Sequence, residues 1–268
     1  MPRAAPAVRH PPRRADPDPV SVSAYFDAPR PRVLAHRGLA LEAPENTMLA
    51  FVHAIAAGAD YIETDVHASR DGVAIVSHDE ELDRVAGLAG RVGDFTRDEL
   101  ARVDLGAGQS FPTLAEALDA FGETRFNIDV KHEAALGPAV DAVRAVRAEE
   151  RVLLTSFSDA RRRRIAAALP GVATSAGRAG VIGSILAAPF GGRALRRAVR
   201  GASALQVPEH AGSLRVVTPR LIRAAHAAGV EVHVWTVNEP ADMRRLLGLG
   251  VDGLVTDRAD LALPLVRG

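Results

Sequence analysis

Cysteine is absent from the 268 residues. That single lack excludes disulfides, thiolate metal ligands and cysteine nucleophiles together. Net charge is missing as well, because 33 Lys and Arg offset 33 Asp and Glu. No overall field therefore favours nucleic acid or a charged membrane, and recognition of an anion has to be local. The opening residues hold no apolar run of the ~7 to 15 residues that a secretory signal needs, so the expectation is a cytoplasmic chain. The longest apolar stretch elsewhere, VIGSILAAPF at 181–190, is too short for a bilayer, which takes ~20 residues. It predicts no integral membrane segment and reads as a core helix or, alternatively, as surface touching lipid.

Residues 1–30 are rich in proline and arginine and are expected to form a mostly disordered tail, with 31–268 as a single domain. From residue 32 a unit repeats in which a short apolar or β-branched run precedes a capped, amphipathic helical stretch. The runs are 33–36, 61–66, 126–130, 152–155, 172–175, 204–207, 231–235 and 253–256. Helix signals stand between them: Thr113 with Glu116 fits a capping box, Thr218 before Pro219 fits an N-cap, and Gly58 and Gly229 fall where helices should stop. Eight strands alternating with helices imply a parallel (β/α)8 TIM barrel, a fold that typically takes ~250 residues; an open doubly wound sheet is the structural alternative.

One further run, VAIVSH at 73–78, follows the second strand too closely for a parallel crossover, which takes a dozen or more residues. It is read as a short β-hairpin insertion turning at Asp71-Gly72. If those two are the central turn residues, Asp65 lies opposite His78, and opposed residues project to one side of a sheet.

Side chains two apart on a strand share a face. Glu63 and Asp65 therefore point the same way, and Asp129 and Lys131 repeat the arrangement on the third strand. Acids crowded into one barrel mouth oppose each other's ionisation unless a cation neutralises them, and a hard ion with oxygen ligands, Mg²⁺ or Ca²⁺, suits carboxylates. His36 and His78 end their strands nearby, and imidazole suits proton transfer near neutral pH. Arg37 and Lys131 are candidate phosphate contacts. Together these point to displacement at phosphorus at the C-terminal mouth of a barrel.

At this point the chain resembles the glycerophosphodiester phosphodiesterase family. The resemblance is carried in order by AHRG at 35–38, PENT at 44–47, ETDVHASRDGVAIVSHD at 63–79, NIDVKHE at 127–133 and VWTVNEPADMRRLLGLGVDGLVTD at 234–257, and covers roughly residues 32–265. It implies a metal-dependent barrel that cleaves a small-molecule glycerophosphodiester to glycerol 3-phosphate and an alcohol. It further implies His36 and His78 as the catalytic pair, Glu63, Asp65 and Asp129 as metal ligands, and Arg37 and Lys131 as phosphate contacts. Asp129 is one methylene shorter than the glutamate usual at that place, which leaves room for a bridging water. Trp235, the only tryptophan, corresponds to an aromatic that contacts the glycerol or alcohol moiety. Glu45 and Asn46 are candidates to reach the substrate site, with Asn46 or Thr47 alternatively the helix N-cap, capping being preferred for Thr47; Glu45 either orients a catalytic side chain or bonds to backbone.

Two rivals remain at this level: a lysophospholipase D acting on acylated glycerophosphodiesters, suggested by 181–190, and a non-catalytic phosphate-binding barrel. The run RRRR at 161–164 is read as a solvated helix face, the arginines of GGRALRRAVRG at 191–201 as soluble surface or a contact for anionic headgroups. His53, His226 and His233 are read as lacking acidic neighbours, and His67 as lying outside the site.

Overall fold

The computed structural model describes residues 23–267. Eight parallel strands form the barrel: β1 (Arg32–His36), β2 (Tyr61–Ala68), β4 (Arg125–Val130), β5 (Val152–Thr155), β6 (Ala173–Thr174), β7 (Ala204–Pro208), β10 (Glu231–Trp235) and β11 (Gly253–Thr256). Their hydrogen-bonded order is β6-β5-β4-β2-β1-β11-β10-β7, while β8 (His210–Ala211) and β9 (Leu214–Arg215) form a separate antiparallel pair after β7. The ring is completed by a parallel bridge between Ser175 and Ala204, reinforced where Ser203 N donates to Thr174 O at 2.8 Å and Ala176 N to Ala204 O at 2.9 Å. The closed barrel stands and the open sheet does not.

Helices α1 (Met48–Ala56), α4 (Leu114–Ala120), α5 (Leu136–Ala145), α6 (Asp159–Ala168), α7 (Arg178–Ala187), α8 (Gly192–Val199), α9 (Pro219–Ala227), α10 (Pro240–Leu249) and α11 (Ala259–Arg267) cover the outside. The expected caps form: Thr47, Thr113 and Thr218 each accept a backbone N–H in the first turn of α1, α4 and α9. Alternation along each strand separates two cores. Val33, Ile62, Phe126, Val152 and Leu254 pack outward under the helices, whereas Leu34, Tyr61, Leu153, Ala204 and Val255 fill the interior. Parallel strands buried on both faces explain why the runs read as nearly continuous apolar sequence.

The hairpin strand β3 (Ala74–Val76) pairs antiparallel with β2, but in a different register from the expected one. Val66 lies opposite Val76 and Ala68 opposite Ala74. Ser69 N bonds to Val73 O at 2.9 Å, so Arg70, Asp71 and Gly72 form a three-residue loop, and Gly72 takes the left-handed conformation at φ 79°. The shift of one residue sets Ser77, not His78, against Asp65, with Ser77 N donating to Asp65 O at 3.0 Å. The insertion is also larger than a hairpin. Residues 77–112 carry α2 (Asp83–Ala86), a 3₁₀ turn (Val92–Asp94) and α3 (Arg97–Leu100) around a separate core of Ile75, Leu82, Val92, Leu100, Val103 and Phe111.

Part of the expected tail is ordered structure; the remainder, residues 1–22, lies outside the described residues. Ala24–Phe26 form a 3₁₀ turn that inserts the fully buried Tyr25 into the interior core, edge-on to Tyr61 at 5.1 Å. Arg32 is 3% exposed and grips Glu231 through two bonds of 3.0 and 2.8 Å. His233 reaches the same carboxylate at 3.0 Å, and His226 meets Asp252 at 2.8 Å, so both have the acidic neighbour that the sequence did not reveal. The RRRR run divides. Arg162 is buried, with Arg200 O accepting from it at 3.1 Å, while Arg163 and Arg164 face solvent.

Candidate active site

The C-terminal ends of the strands open onto a cavity of about 570 Å³ lined by His36, Arg37, Glu63, Asp65, His78, Asn127, Asp129, Lys131 and Trp235 among others. Eight of the nine residues expected at the site thus face one space; Glu45 does not. It stands behind Arg37, accepting from its guanidinium at 2.8 Å and from Arg84 at 2.6 Å, and so orients Arg37 from outside the cavity.

Local geometry explains why AHRG turns where it does. Arg37 adopts a left-handed backbone at φ 58°, and its N–H bonds to Glu63 O at 2.8 Å. Gly38 then passes so close to α1 that a Cβ there would lie 2.7 Å from the Ala50 carbonyl carbon. Asn46, also left-handed at φ 57°, is no helix cap. It accepts from Thr64 Oγ1 at 2.7 Å and donates to Asp65 Oδ2 at 3.4 Å, tying the PENT loop to β2.

The two histidines are held alike. His36 Nδ1 lies 2.6 Å from Asp257 Oδ1, and His78 Nδ1 lies 2.7 Å from Asp79 Oδ1. A carboxylate at Nδ1 fixes the ring and leaves Nε2 for other work. Burial works against charging His36, yet its bond to Asp257 and the charge of Glu63, whose Oε2 is 3.8 Å from Nε2, raise its pKa above the usual value. His78 reaches the cavity because the chain leaves β3 after Val76. His67, outside the cavity, helps to place it by bonding to His78 O at 3.0 Å.

Three acids are buried at the mouth: Glu63 at 8%, Asp65 at 2% and Asp129 at 5% exposure. Lys131 Nζ lies 2.7 Å from Asp65 Oδ1 and 3.0 Å from Asp129 Oδ2. Burial, with the charge of Asp65 adding to it, pushes Glu63 up to about 8. Burial also raises Asp129 despite the pull of Lys131. Lys131 itself is raised, since the two aspartates outweigh its own desolvation. Among the described residues no group of three or more His, Asp or Glu side chains is already gathered round one point as metal ligands, and the ammonium of Lys131 sits between two of the acids. The donor chemistry nevertheless fits a hard cation. The carboxylates are oxygen donors, and Asp129 Oδ1 is buried without a partner.

Asp257 and Asp79 are the residues that sequence reasoning missed. Asp257 directly follows β11 within the quoted VTD, and Asp79 directly follows His78 within SHD, which was the available signal. Deeper in the barrel, Gln206 links Asn127 at 3.1 Å to His233 at 3.4 Å, a polar connection that alternation alone does not show.

Known proteins now bear on this geometry. Residues 36–261 match the glycerophosphoryl diester phosphodiesterase family. The chain is 45% identical over 231 residues, 85% of its own length and 88% of the other, to the "Probable glycerophosphodiester phosphodiesterase 2" of Mycobacterium tuberculosis. It is 33% identical over 253 residues, 88% of its length and 97% of the other, to a glycerophosphodiester phosphodiesterase of Caldanaerobacter subterraneus. The crystal structure of the glycerophosphodiester phosphodiesterase from Agrobacterium tumefaciens superposes with a TM-score of 0.73 at 29% identity, covering 87% of this chain and 98% of that one. The barrel, its hairpin insertion and the ordered motifs at its mouth place this chain in the glycerophosphoryl diester phosphodiesterase family.

Proposed function

We propose that this barrel hydrolyses glycerophosphodiesters to glycerol 3-phosphate and an alcohol, with His36 and His78 as general acid and base and a divalent cation, Mg²⁺ or Ca²⁺, held by Glu63, Asp65 and Asp129. Membership of the family makes the chain a phosphoric diester hydrolase; the division of labour is this proposal. The observation that carries it is one cavity onto which two Asp-anchored imidazoles, the cationic Arg37, Lys131 and Arg178 and three buried carboxylates all open.

When bound, the cation supplies charge stabilisation at the phosphoryl group and lowers the pKa of a hydroxyl. Arg37, braced by Glu45, binds phosphate oxygens through its guanidinium, whose Nε is buried without a hydrogen-bond partner. Lys131 adds a second positive charge beside the same oxygens. One imidazole takes a proton at Nε2 from the attacking oxygen, that of water or of the substrate's own glycerol hydroxyl with water then opening the cyclic phosphate, while the other gives one to the leaving alkoxide. Asp257 and Asp79 keep the rings in register for both transfers. Trp235, edge-on to Phe157 at 6.3 Å, packs against the carbon skeleton of the substrate.

Lysophospholipase D activity is the second reading, favoured by an apolar wall of Val181, Ile182, Ile185, Leu214 and Val216 in the same cavity. A divalent-cation screen of purified protein against glycerophosphocholine, glycerophosphoethanolamine and lysophosphatidylcholine, with chelator as control, tests both. Turnover of the deacylated diesters that chelator abolishes is the expected result. A strong preference for the acylated substrate favours the second reading, and undiminished turnover in chelator overturns the cation's part.

A further inference from the structure

The proposed mechanism leaves the α7–α8 flank of the barrel unexplained. α7 buries Gly180 and Ser184 and turns Val181 and Ile185 to the cavity. Its remaining face is exposed and apolar: Ile182 is 52% and Leu186 69% exposed, and Phe190, in the 3₁₀ turn that follows, is 80% exposed. Ile182 and Leu186 lie one turn apart and so share that face. Ile182 also lines the cavity rim, as do Phe157 and Leu214, each 56% exposed. Scattered exposed apolar residues need no explanation, but a run continuous with a cavity mouth does.

Charge on this side is one-sided. Between Asp159 and Glu209 the sequence holds nine arginines and neither an acid nor a lysine. Arg178, Arg193, Arg196 and Arg197 are exposed, and none is paired with an acid among the described residues. Arg193, Arg196 and Arg197 line a second, shallow cavity of about 260 Å³ with Gly192 and Ala227, which has room for a phosphate group. An apolar tip flanked by unpaired arginines is the pattern of a surface that lies in the headgroup region of a membrane. No helix among the described residues is long and apolar enough to cross one.

We propose that α7, the turn after it and α8 dock this flank of the barrel onto an anionic lipid bilayer. Leu186 and Phe190 enter the boundary between headgroups and acyl chains, and the three arginines of α8 hold lipid phosphates. Charge selects this occupant over a second copy of the chain, because a two-fold contact would set the same arginines against one another. The exposed apolar run leads from this surface at Phe190 and Leu186 up to Ile182 at the cavity rim; the docking does not rest on the hydrolase reading.

Cosedimentation of the full chain with vesicles of phosphatidylcholine alone, or mixed with phosphatidylglycerol, tests the proposal, with turnover of soluble glycerophosphocholine measured in parallel. The chain should bind the mixed vesicles, release in high salt and ignore the neutral ones. The double change Leu186→Asp and Phe190→Asp should cut binding to background. Arg193→Gln, Arg196→Gln and Arg197→Gln together should weaken it by ~100-fold, each arginine contributing about fivefold. Both variants should keep the wild-type melting temperature and soluble turnover. Failure of the wild type to bind mixed vesicles, unchanged binding by both variants, or a solution dimer that the Leu186/Phe190 variant dissociates would each overturn the docking surface. Absent soluble turnover in a wild type that binds vesicles would instead count against the hydrolase reading.

Discussion

The two ends of the same barrel both bury acids, and they treat them oppositely. At the N-terminal end Glu231 is clasped by Arg32 and His233, which overcome its burial and hold its pKa down to about 2. At the C-terminal end Glu63 has no such clasp, and burial beside Asp65 pushes it up to about 8. Tyr25 closes off the first end, while the second opens to a cavity. The balanced end is organised for stability. The open end keeps buried carboxylates beside cationic side chains without a closed clasp, an arrangement that the stability of the other end sustains.

Separating these roles is the way to break that comparison, and the largest effect belongs to the open end. Replacing His36 or His78 with alanine should lower kcat for glycerophosphocholine by ~10² to 10⁴-fold and leave the melting temperature nearly unchanged; steady-state kinetics with a thermal melt read both. Near-normal turnover in a folded variant would remove that histidine from the chemistry.

The converse holds at the closed end. Glu231→Gln leaves Arg32 buried without its partner charge, which costs ~3 to 5 kcal/mol of stability, while turnover of the folded fraction survives. The pH dependence has a definite sign. Because the folded-state pKa of Glu231 lies below the ordinary value of 4.5, its contribution is complete above that value and is lost as pH falls towards about 2. Urea midpoints of wild type and variant should therefore differ most near neutrality and converge through this acid window. Parallel curves down to the lowest pH would contradict the clasp.

Asp257→Asn sharpens the comparison at smaller scale, since it loosens His36 without removing it. The expected loss is about tenfold in kcat, in the range of a positioning partner, with KM little changed. A KM effect alone would mean that Asp257 meets substrate instead of the ring.

Much of this was legible in the chain because it is local. The alternation of strands and helices, the Thr113 and Thr218 caps, and the parity that turns Glu63, Asp65 and Asp129 inward all follow from period and short-range hydrogen bonds. The hairpin register was not, since it depends on whether the loop takes two or three residues, a choice made by the backbone at Gly72. Contacts that barrel closure creates were equally hidden. His36 and Asp257 are 221 positions apart, and Arg32 and Glu231 are 199 apart; they meet only because closure sets β1 beside β11, with β10 next in the ring. Tyr25 stood in proline-rich sequence with no periodicity to announce its burial.

The claim on which the account turns is that the acids of the open end are a cation site. Calorimetric titration of Mg²⁺ and Ca²⁺ into the wild type and into Asp65→Asn measures it without any substrate. One cation per chain in the wild type, with binding lost or greatly weakened in the variant, is the predicted result; no binding of either ion, or equal binding by both proteins, would contradict it.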